Sequence, residues 1–398
     1  MDNTTDVYNV TVKELPRAPP ALLPDWPKCE TIPDPIAPGA VSKAKDWIAS
    51  TVPPVLIVLG VFGNILTILT LVRSIKGKIT STTLYLLLLA ISDLLLLLNG
   101  PLRQWIRLAW KYDFRTYHVM VCKLAVWLTY GTMQFSSWIL VVLTMERMAS
   151  VLWPHKVRTS CITRSSRIVS IILFVCIFGL NSHFLYGLGD TKLPYYSVKS
   201  CMPLYEEYSF FFLHVWHWIN FVMAFAAPFV ILAVGNFVII AKIKQSYSTR
   251  KRMSLKGSAE SSREKRTITR VMILLNVVFF VSQTPMSIYF IYIPYRIDEV
   301  NQMACDNYPE YVRQAELIWL IYTVVNMLGY INATVNFVLY VISGAKFRAE
   351  IKALLLCRKS PSTGGLFESR SSTTQPRSVR SRAGRSCETP SQQVKTVC

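Results

Sequence analysis

A chain of 398 residues that is 52% hydrophobic yet carries a formal net charge of +20 is neither an ordinary soluble globule nor a disordered polyelectrolyte. The apolar residues gather in seven long stretches and the bases hug their ends, so the charge marks a lipid boundary and excludes nucleic acid as the partner. Metal-ligand spacings, nucleophile elbows and phosphate loops are absent from the sequence, so an enzyme is not expected.

Residues 1–46 read as an extracellular tail, rich in proline and without an apolar run. It carries two glycosylation sequons, at Asn3 and Asn9. No cleavable signal peptide is read there, so the first spanning helix is expected to direct insertion itself. A third sequon, at Asn332, lies inside an apolar run and is not expected to be modified.

The apolar runs fall near 47–72, 84–104, 119–145, 168–188, 209–241, 271–294 and 317–342. Each has about the twenty residues a helix needs to cross a hydrocarbon core. Backbone in lipid must satisfy its own hydrogen bonds, and runs this continuously apolar suit helices rather than alternating barrel strands. The expected fold is therefore an all-α membrane protein, a seven-transmembrane helix bundle over 47–342. With the amino terminus outside, the inner segments 73–80, 153–167, 242–270 and 342–398 hold 28 Lys and Arg against 5 acids. That is the positive-inside pattern, and it orients the chain as a multi-pass plasma-membrane protein with an extracellular amino terminus. Internal repeats and broken helices are not seen in the sequence, which argues against a transporter.

After the last run, 343–357 reads as a short amphipathic eighth helix on the membrane surface, ending at Cys357, a candidate palmitoylation site. The tail 358–398 has a disordered composition. Its Ser/Thr clusters at 360–363 and 369–374 would each gain negative charge on phosphorylation and recruit an arrestin. A plain solvated linker is the alternative. Four cysteines fall outside: Cys29, Cys122, Cys201 and Cys305. They allow three pairings. The reading taken here pairs Cys122 with Cys201, which leaves Cys29 to Cys305 or leaves both as thiols.

Motifs in order on successive runs then name a family. Asn64 follows Gly63 in the first run, and Asp93 closes Leu89-Ala90-Ile91-Ser92-Asp93 in the second. Glu146-Arg147-Met148 ends the third, Pro228 and Pro285 stand in the fifth and sixth, and Asn336-Phe337-Val338-Leu339-Tyr340 ends the seventh. Over about 45–356 the chain resembles rhodopsin-like (class A) G-protein-coupled receptors. Within them it looks like invertebrate neuropeptide receptors for FMRFamide-like or thyrotropin-releasing-hormone-like peptides. That finer likeness rests on the Asn-Phe-x-x-Tyr variant, Val341-Ile342-Ser343-Gly344 and Pro101-Leu102-Arg103-Gln104-Trp105.

The resemblance implies an extracellular peptide ligand, a heterotrimeric G protein, receptor kinases and arrestin as partners, in contact with membrane lipids. It implies no cofactor beyond a sodium ion as an allosteric ligand, held by Asp93, Ser136, Asn332 and Asn336. The plain alternative for that cluster is a hydrogen-bonded knot around a protonated aspartic acid. Asp93 is flagged on physical grounds as well, because an ionisable group inside a span is expensive. Glu146, Arg147, Gln283 and Tyr340 match the activation switches, with Glu146 expected to hold Arg147 in a local ion pair at rest. Several positions depart from the pattern. Phe337 replaces a proline, Gln283 a tryptophan, Met148 a tyrosine and Asn236 another tyrosine, the fourth run lacks its usual tryptophan, and Lys265 rather than an acid faces Arg147, with Glu264 beside it.

Positions that match the family's ligand pocket are Arg103, Arg107, Thr129, Tyr130, Met133, His217, Asn220, Met286, Phe290, Tyr322, Asn326 and Tyr330. Arg103 and Arg107 share a helix face and suit an anion held bidentately. Alternatively Arg107 snorkels and Arg103 pairs with an acid such as Glu316. The seventh run has no lysine for retinal, Tyr330 standing at the matching position. The third run has Thr129 where amine receptors carry an aspartate. A receptor of the same fold for a small acidic or lipid ligand is the alternative to a peptide receptor.

Overall fold

In the computed structural model, residues 39–75, 79–110, 112–153, 162–192, 199–252, 259–343 and 345–358 are described. Seven helices among them are long and apolar enough to cross a membrane: Ala40–Ser74, Ser81–Arg107, Val119–Leu152, Arg164–Gly187, Glu206–Gln245, Ile273–Ile297 and Tyr308–Ile342. They are called here the first to seventh spans. The hydropathy of the sequence therefore located every crossing, and the helices run several residues past the apolar cores. The sixth continues over Ala259–Asp306 and the seventh over Tyr308–Ser343.

Local chemistry sets the ends. The Thr80 hydroxyl accepts from the amide of Thr83 at 3.2 Å and starts the second span. His118 caps the third through its ring nitrogen, which accepts from the amide of Met120 at 3.1 Å. The second span is broken at Gly100, after which Pro101–Trp110 forms a separate helical piece. The sixth carries Pro285 and Pro294 in its interior. The fifth contains two wide π-helical segments, Phe211–Trp216 and Val222–Ala226, flanking the regular turn His217–Phe221. The second segment immediately precedes Pro228, whose ring nitrogen has no hydrogen to donate to the turn before it.

Lipid tails are as apolar as leucine, so burial from water does not hold such helices together. Close packing and hydrogen bonds do. Two first-span glycines show the closeness. A Cβ on Gly63 would lie 2.8 Å from Cβ of Phe337, and one on Gly60 would lie 2.5 Å from a methyl of Leu97. Asn64 donates to the carbonyls of Gly60 and Ala333, both at 2.9 Å, and so ties the first span to the seventh. Trp127 donates to Phe178 O and Trp138 to Met223 O, each at 2.9 Å, binding the third span to the fourth and fifth. Leu86, Ile139, Leu143, Leu232 and Phe279 are fully buried in the central core.

At one end of the bundle, the strands β1 (Leu188–Lys192) and β2 (Lys199–Pro203) form an antiparallel hairpin, with Asp190 opposite Cys201. Cys201 is bonded to Cys122 at the start of the third span, their Cα atoms 5.5 Å apart. At the other end a separate helix, Ala345–Leu355, follows the seventh span. It is two residues shorter at each end than the expected 343–357. Phe347 is buried against Tyr340 and Phe337, with ring centroids 5.7 and 6.3 Å away, while Arg348, Ala349 and Lys352 are exposed. Cys357 follows at φ 48°, where the amide of Arg358 reaches back to Ala353 O at 2.8 Å. That is the left-handed helix-ending geometry usually given to glycine. The Arg73 guanidinium donates to the Arg358 carbonyl and fastens this end to the first span.

Asn3, Asn9, Cys29 and the Ser/Thr clusters of the tail lie outside the described residues, as do the side chains of Cys305, Glu264 and Lys265. The Cys29–Cys305 pairing and the partner of Arg147 on the sixth span therefore lie outside them too.

Candidate receptor site

Three polar layers stack along the bundle. The deepest from either end centres on Asp93, which is fully buried. Its two oxygens accept from Ser136 Oγ at 2.9 Å and from Asn336 Nδ2 at 2.6 Å. Ser136 is also 2.9 Å from Ser92 Oγ, and Ser92 donates to Thr132 O at 2.9 Å. The second, third and seventh spans thus meet at one carboxylate, as the sequence implied. Asn332 makes no such bond. It stands one helical turn from Asn336, and its buried Oδ1 has no partner among the described residues, nor does Oδ1 of Asn336. Asn336 thus turns its NH2 group rather than its oxygen to the Asp93 carboxylate.

Toward the helix end opposite the disulfide lies Arg147. The expected ion pair with Glu146 is not formed within 4 Å among the described residues. Adjacent residues on a helix point about 100° apart, which keeps the two heads separate. Instead Arg147 donates to the hydroxyl of Thr82, which is also the hydrogen-bond neighbour of Glu146. Thr82 thus mediates between acid and base. Nε of Arg147 and Oε2 of Glu146 are buried without partners among the described residues. Tyr340 stacks edge-on against Phe347 and lies within electrostatic range of Asp93, linking this layer to the one above.

The third layer, toward the disulfide, brings five of the twelve expected ligand positions to one cleft. A narrow cleft between the third, fifth and sixth spans is lined by Met133, His217, Asn220, Phe221, Ala224, Gln283, Met286, Ser287 and Phe290. His217 Nδ1 is 2.7 Å from the carbonyl of Phe212. A carbonyl only accepts, so Nδ1 carries the hydrogen and Nε2 of the neutral ring keeps its lone pair. That Nε2 is buried without a partner among the described residues. Gln283, in the place of a tryptophan, donates to Gly329 O at 3.1 Å and so clasps the sixth span to the seventh. Behind the cleft runs a chain of amides that the sequence reading missed. Asn181 donates to Gln134 Oε1 at 2.8 Å, and Gln134 donates to Asn220 Oδ1 at 3.0 Å. This arrangement uses up the oxygen of Asn220 and leaves its NH2 group as the part available to the cleft. Polar Gln134 and Asn181 inside apolar runs were the signal that could have found it.

The remaining expected positions do not line the cleft. Tyr322 packs edge-on and tilted against Tyr289, Phe290 and Trp319. Asn326 donates to Tyr322 O at 2.8 Å, an internal helix bond. Tyr130 belongs to the aromatic cluster of Phe184 and Trp216 beneath the hairpin. Thr129 donates to Ala125 O at 2.8 Å and accepts from Asn99 Nδ2 at 2.7 Å, so its hydroxyl is committed within the bundle. Tyr330 is buried, its ring occupying the space a side chain on Gly100 would need.

Arg103 does not pair with Glu316, which lies beside Gly39 instead. Its partner is Asp113, at 3.3 Å, in the loop before the third span. Asp113 is held more tightly by Arg115, through Nη2 at 2.7 Å, Nε at 3.1 Å and the backbone amide at 3.1 Å. Burial pushes the Asp113 carboxyl up, but the hydrogen bonds and charge of Arg115 and the charge of Arg103 more than reverse this and hold it well below the usual carboxylate range. Arg107 is half-buried and within electrostatic range of Arg103, as are Tyr322 and Tyr330.

With this geometry in place the class of the protein follows. Residues 63–340 match the family described as 7 transmembrane receptor (rhodopsin family), and the chain belongs to it. The family is one of receptors rather than enzymes, and membership implies an extracellular ligand and signalling through G proteins.

Proposed function

We propose that this receptor sits in the plasma membrane with its amino terminus outside and responds to a short extracellular peptide. The observation that carries the reading is the cleft, whose lining is neutral, aromatic and amide-rich, with a basic cluster at the disulfide end. Side chains of a peptide entering from that end would find apolar and hydrogen-bonding surfaces between the spans, and an anionic or carbonyl group would find Arg103. A neuropeptide of the FMRFamide-like or thyrotropin-releasing-hormone-like kind is the specific ligand class proposed. The Asp93 cluster is proposed to take a sodium ion as an allosteric ligand, and Arg147 to turn toward the G protein on activation. Glycans on Asn3 and Asn9, a palmitoyl chain on the exposed Cys357, and kinase and arrestin action on the tail belong to the same proposal.

A second reading, a receptor of this fold for a small acidic or lipid ligand, is favoured by one feature, the excess of arginine over acid around Asp113. A calcium and cAMP readout in cells exposed to a peptide panel and to small carboxylates separates the two. A dose-dependent response to a peptide supports the first. Silence to every peptide with a response to a small acid or lipid would replace it.

A further inference from the structure

Two guanidinium groups share one carboxylate near the disulfide end of the bundle. Among the described side chains, Asp113 is the one acid within 4 Å of Arg103 or Arg115. The division is unequal. Arg115 engages both oxygens of Asp113 through Nε, with a further bond from Nη2 and one from its backbone amide. Arg103 reaches the same carboxylate through Nη1 alone, at 3.3 Å. A guanidinium has five N–H donors and pairs best with a carboxylate through two parallel bonds. Arg103 is thus held by a single long contact, while its side chain keeps 17% of its exposure and is not sealed in. Tyr322 and Tyr330 of the seventh span lie within its electrostatic range. Arg103 therefore bridges the loop of Asp113 and the region around the cleft.

A cation largely withdrawn from water with part of a counter-ion favours any anion that can supply the rest. We propose that Asp113 is a built-in counter-ion to Arg103 that a carboxylate of the ligand displaces, an acidic side chain where the peptide's own end is amidated, leaving Asp113 to Arg115. The proposal rests on the receptor reading above and sharpens it by naming the group the ligand presents. It also assigns roles to two residues outside the expected pocket. Asp113 sets how strongly an incoming anion must compete, and Arg115 keeps Asp113 in place once Arg103 has let go.

The site is tested without a ligand in hand by using sulfate as the oxyanion probe. Full-length receptor in lipid nanodiscs is unfolded thermally with and without sulfate, against chloride at equal ionic strength. An anion bound to the folded state raises the midpoint by mass action. Asp113→Asn keeps the oxygen that caps Arg115 but removes the competing charge, so its sulfate shift is expected to exceed the parent's by roughly 2–4 °C. Arg103→Gln, alone or combined with Asp113→Asn, is expected to lose the shift, and Arg313→Gln, an exposed partner of Glu310, to keep the parent's. A sulfate shift in Asp113→Asn no larger than the parent's, or one retained in Arg103→Gln, overturns the proposal. If Asp113→Asn does not fold, cells expressing the parent and Arg103→Gln decide. A peptide active in the panel is compared with its copy in which each carboxylate is replaced by a carboxamide, and succinate is run beside them. Loss of potency on that replacement in the parent, and no such difference in Arg103→Gln, supports the proposal with a peptide as the source. Succinate activity confined to the parent supports it with a small acid as the source. Equal potency of the paired peptides in the parent, with succinate inert, overturns it. A panel with no active peptide counts against the peptide reading alone, since the sulfate shift does not depend on it.

Discussion

The two ends of this bundle are built on different principles. Around Asp93 and Arg147, few residues are charged, each lies on a helix, and most bonds run side chain to side chain across spans. Around Asp113 and the cleft, charge comes partly from a loop, through Asp113 and Arg115, and partly from Arg103 on Pro101–Trp110, and the walls are aromatic rings and amides on helices with irregular turns. The first arrangement is legible as family motifs because its bonds link fixed helical positions. The second rests on a loop and on irregular turns, which no motif in the sequence marks.

Substitutions can break or sharpen that contrast. The largest effect is expected from Cys122→Ser or Cys201→Ser, which frees the hairpin over the cleft and should abolish ligand binding at the cell surface. Full binding by either variant would detach the hairpin from recognition. Next, Arg147→Ala should reach the surface and bind ligand yet lose most nucleotide exchange on a purified G protein. Normal exchange would move the switch elsewhere. Arg103→Ala removes a charge-assisted contact worth about 1.5–3 kcal/mol and should raise the half-maximal dose roughly ten- to a hundredfold. Arg103→Gln should lose less, and Arg107→Ala less again, at matched surface expression. Asn336→Ala strips a bond from the buried Asp93 and should cost about 1–3 kcal/mol. A lowered midpoint in nanodiscs, with agonist affinity little changed, would confirm that the inner layer holds structure more than ligand. The smallest effect concerns pH. The Asp113 carboxyl is depressed in the folded protein, so its ion pairs stabilise fully above the unfolded carboxylate range near about pH 4 and weaken only as pH falls further. Thermal midpoints measured between pH 5 and 8 should therefore show no step traceable to Asp113, and an Asp113→Asn variant should match the parent's pH profile there.

How far the sequence carried depends on the kind of signal. Long apolar runs set the seven crossings because a continuously apolar run of that length, unlike an alternating barrel strand, satisfies its backbone in lipid as a helix. Asp93, Ser136 and Asn336 were legible together because each is a polar group in an apolar helix at a motif position. Asn332 shares that chemistry but sits a turn away, and only the geometry shows that it makes no bond to Asp93. The Arg103 partner was misjudged because Asp113 lies in a loop, where nothing in the periodicity says which way the chain folds back. Arg147 and Glu146 look like a pair in the sequence, yet neighbouring helical positions diverge and Thr82, from another span, fills the gap. The chain of Asn181, Gln134 and Asn220 joins three spans, and pairing of that kind is a property of the packed bundle.

The two wide turns in the fifth span carry a further consequence. Each takes an extra residue into a turn, so the helix beyond it is rotated with respect to one counted evenly from Pro228. His217 and Asn220 face the cleft on the short regular turn between them. Removing a single residue from Val222–Ala226 would then act less like a shortening than like a twist of a screw, turning everything nearer the hairpin by about 100°. Each residue before the deletion would take the place of its successor, so His217 would move to the exposed position of Trp218, while Trp216 and Ile219 would enter the places of His217 and Asn220. The length of this short segment, more than the identity of any residue in it, decides which chemistry the fifth span shows to a ligand.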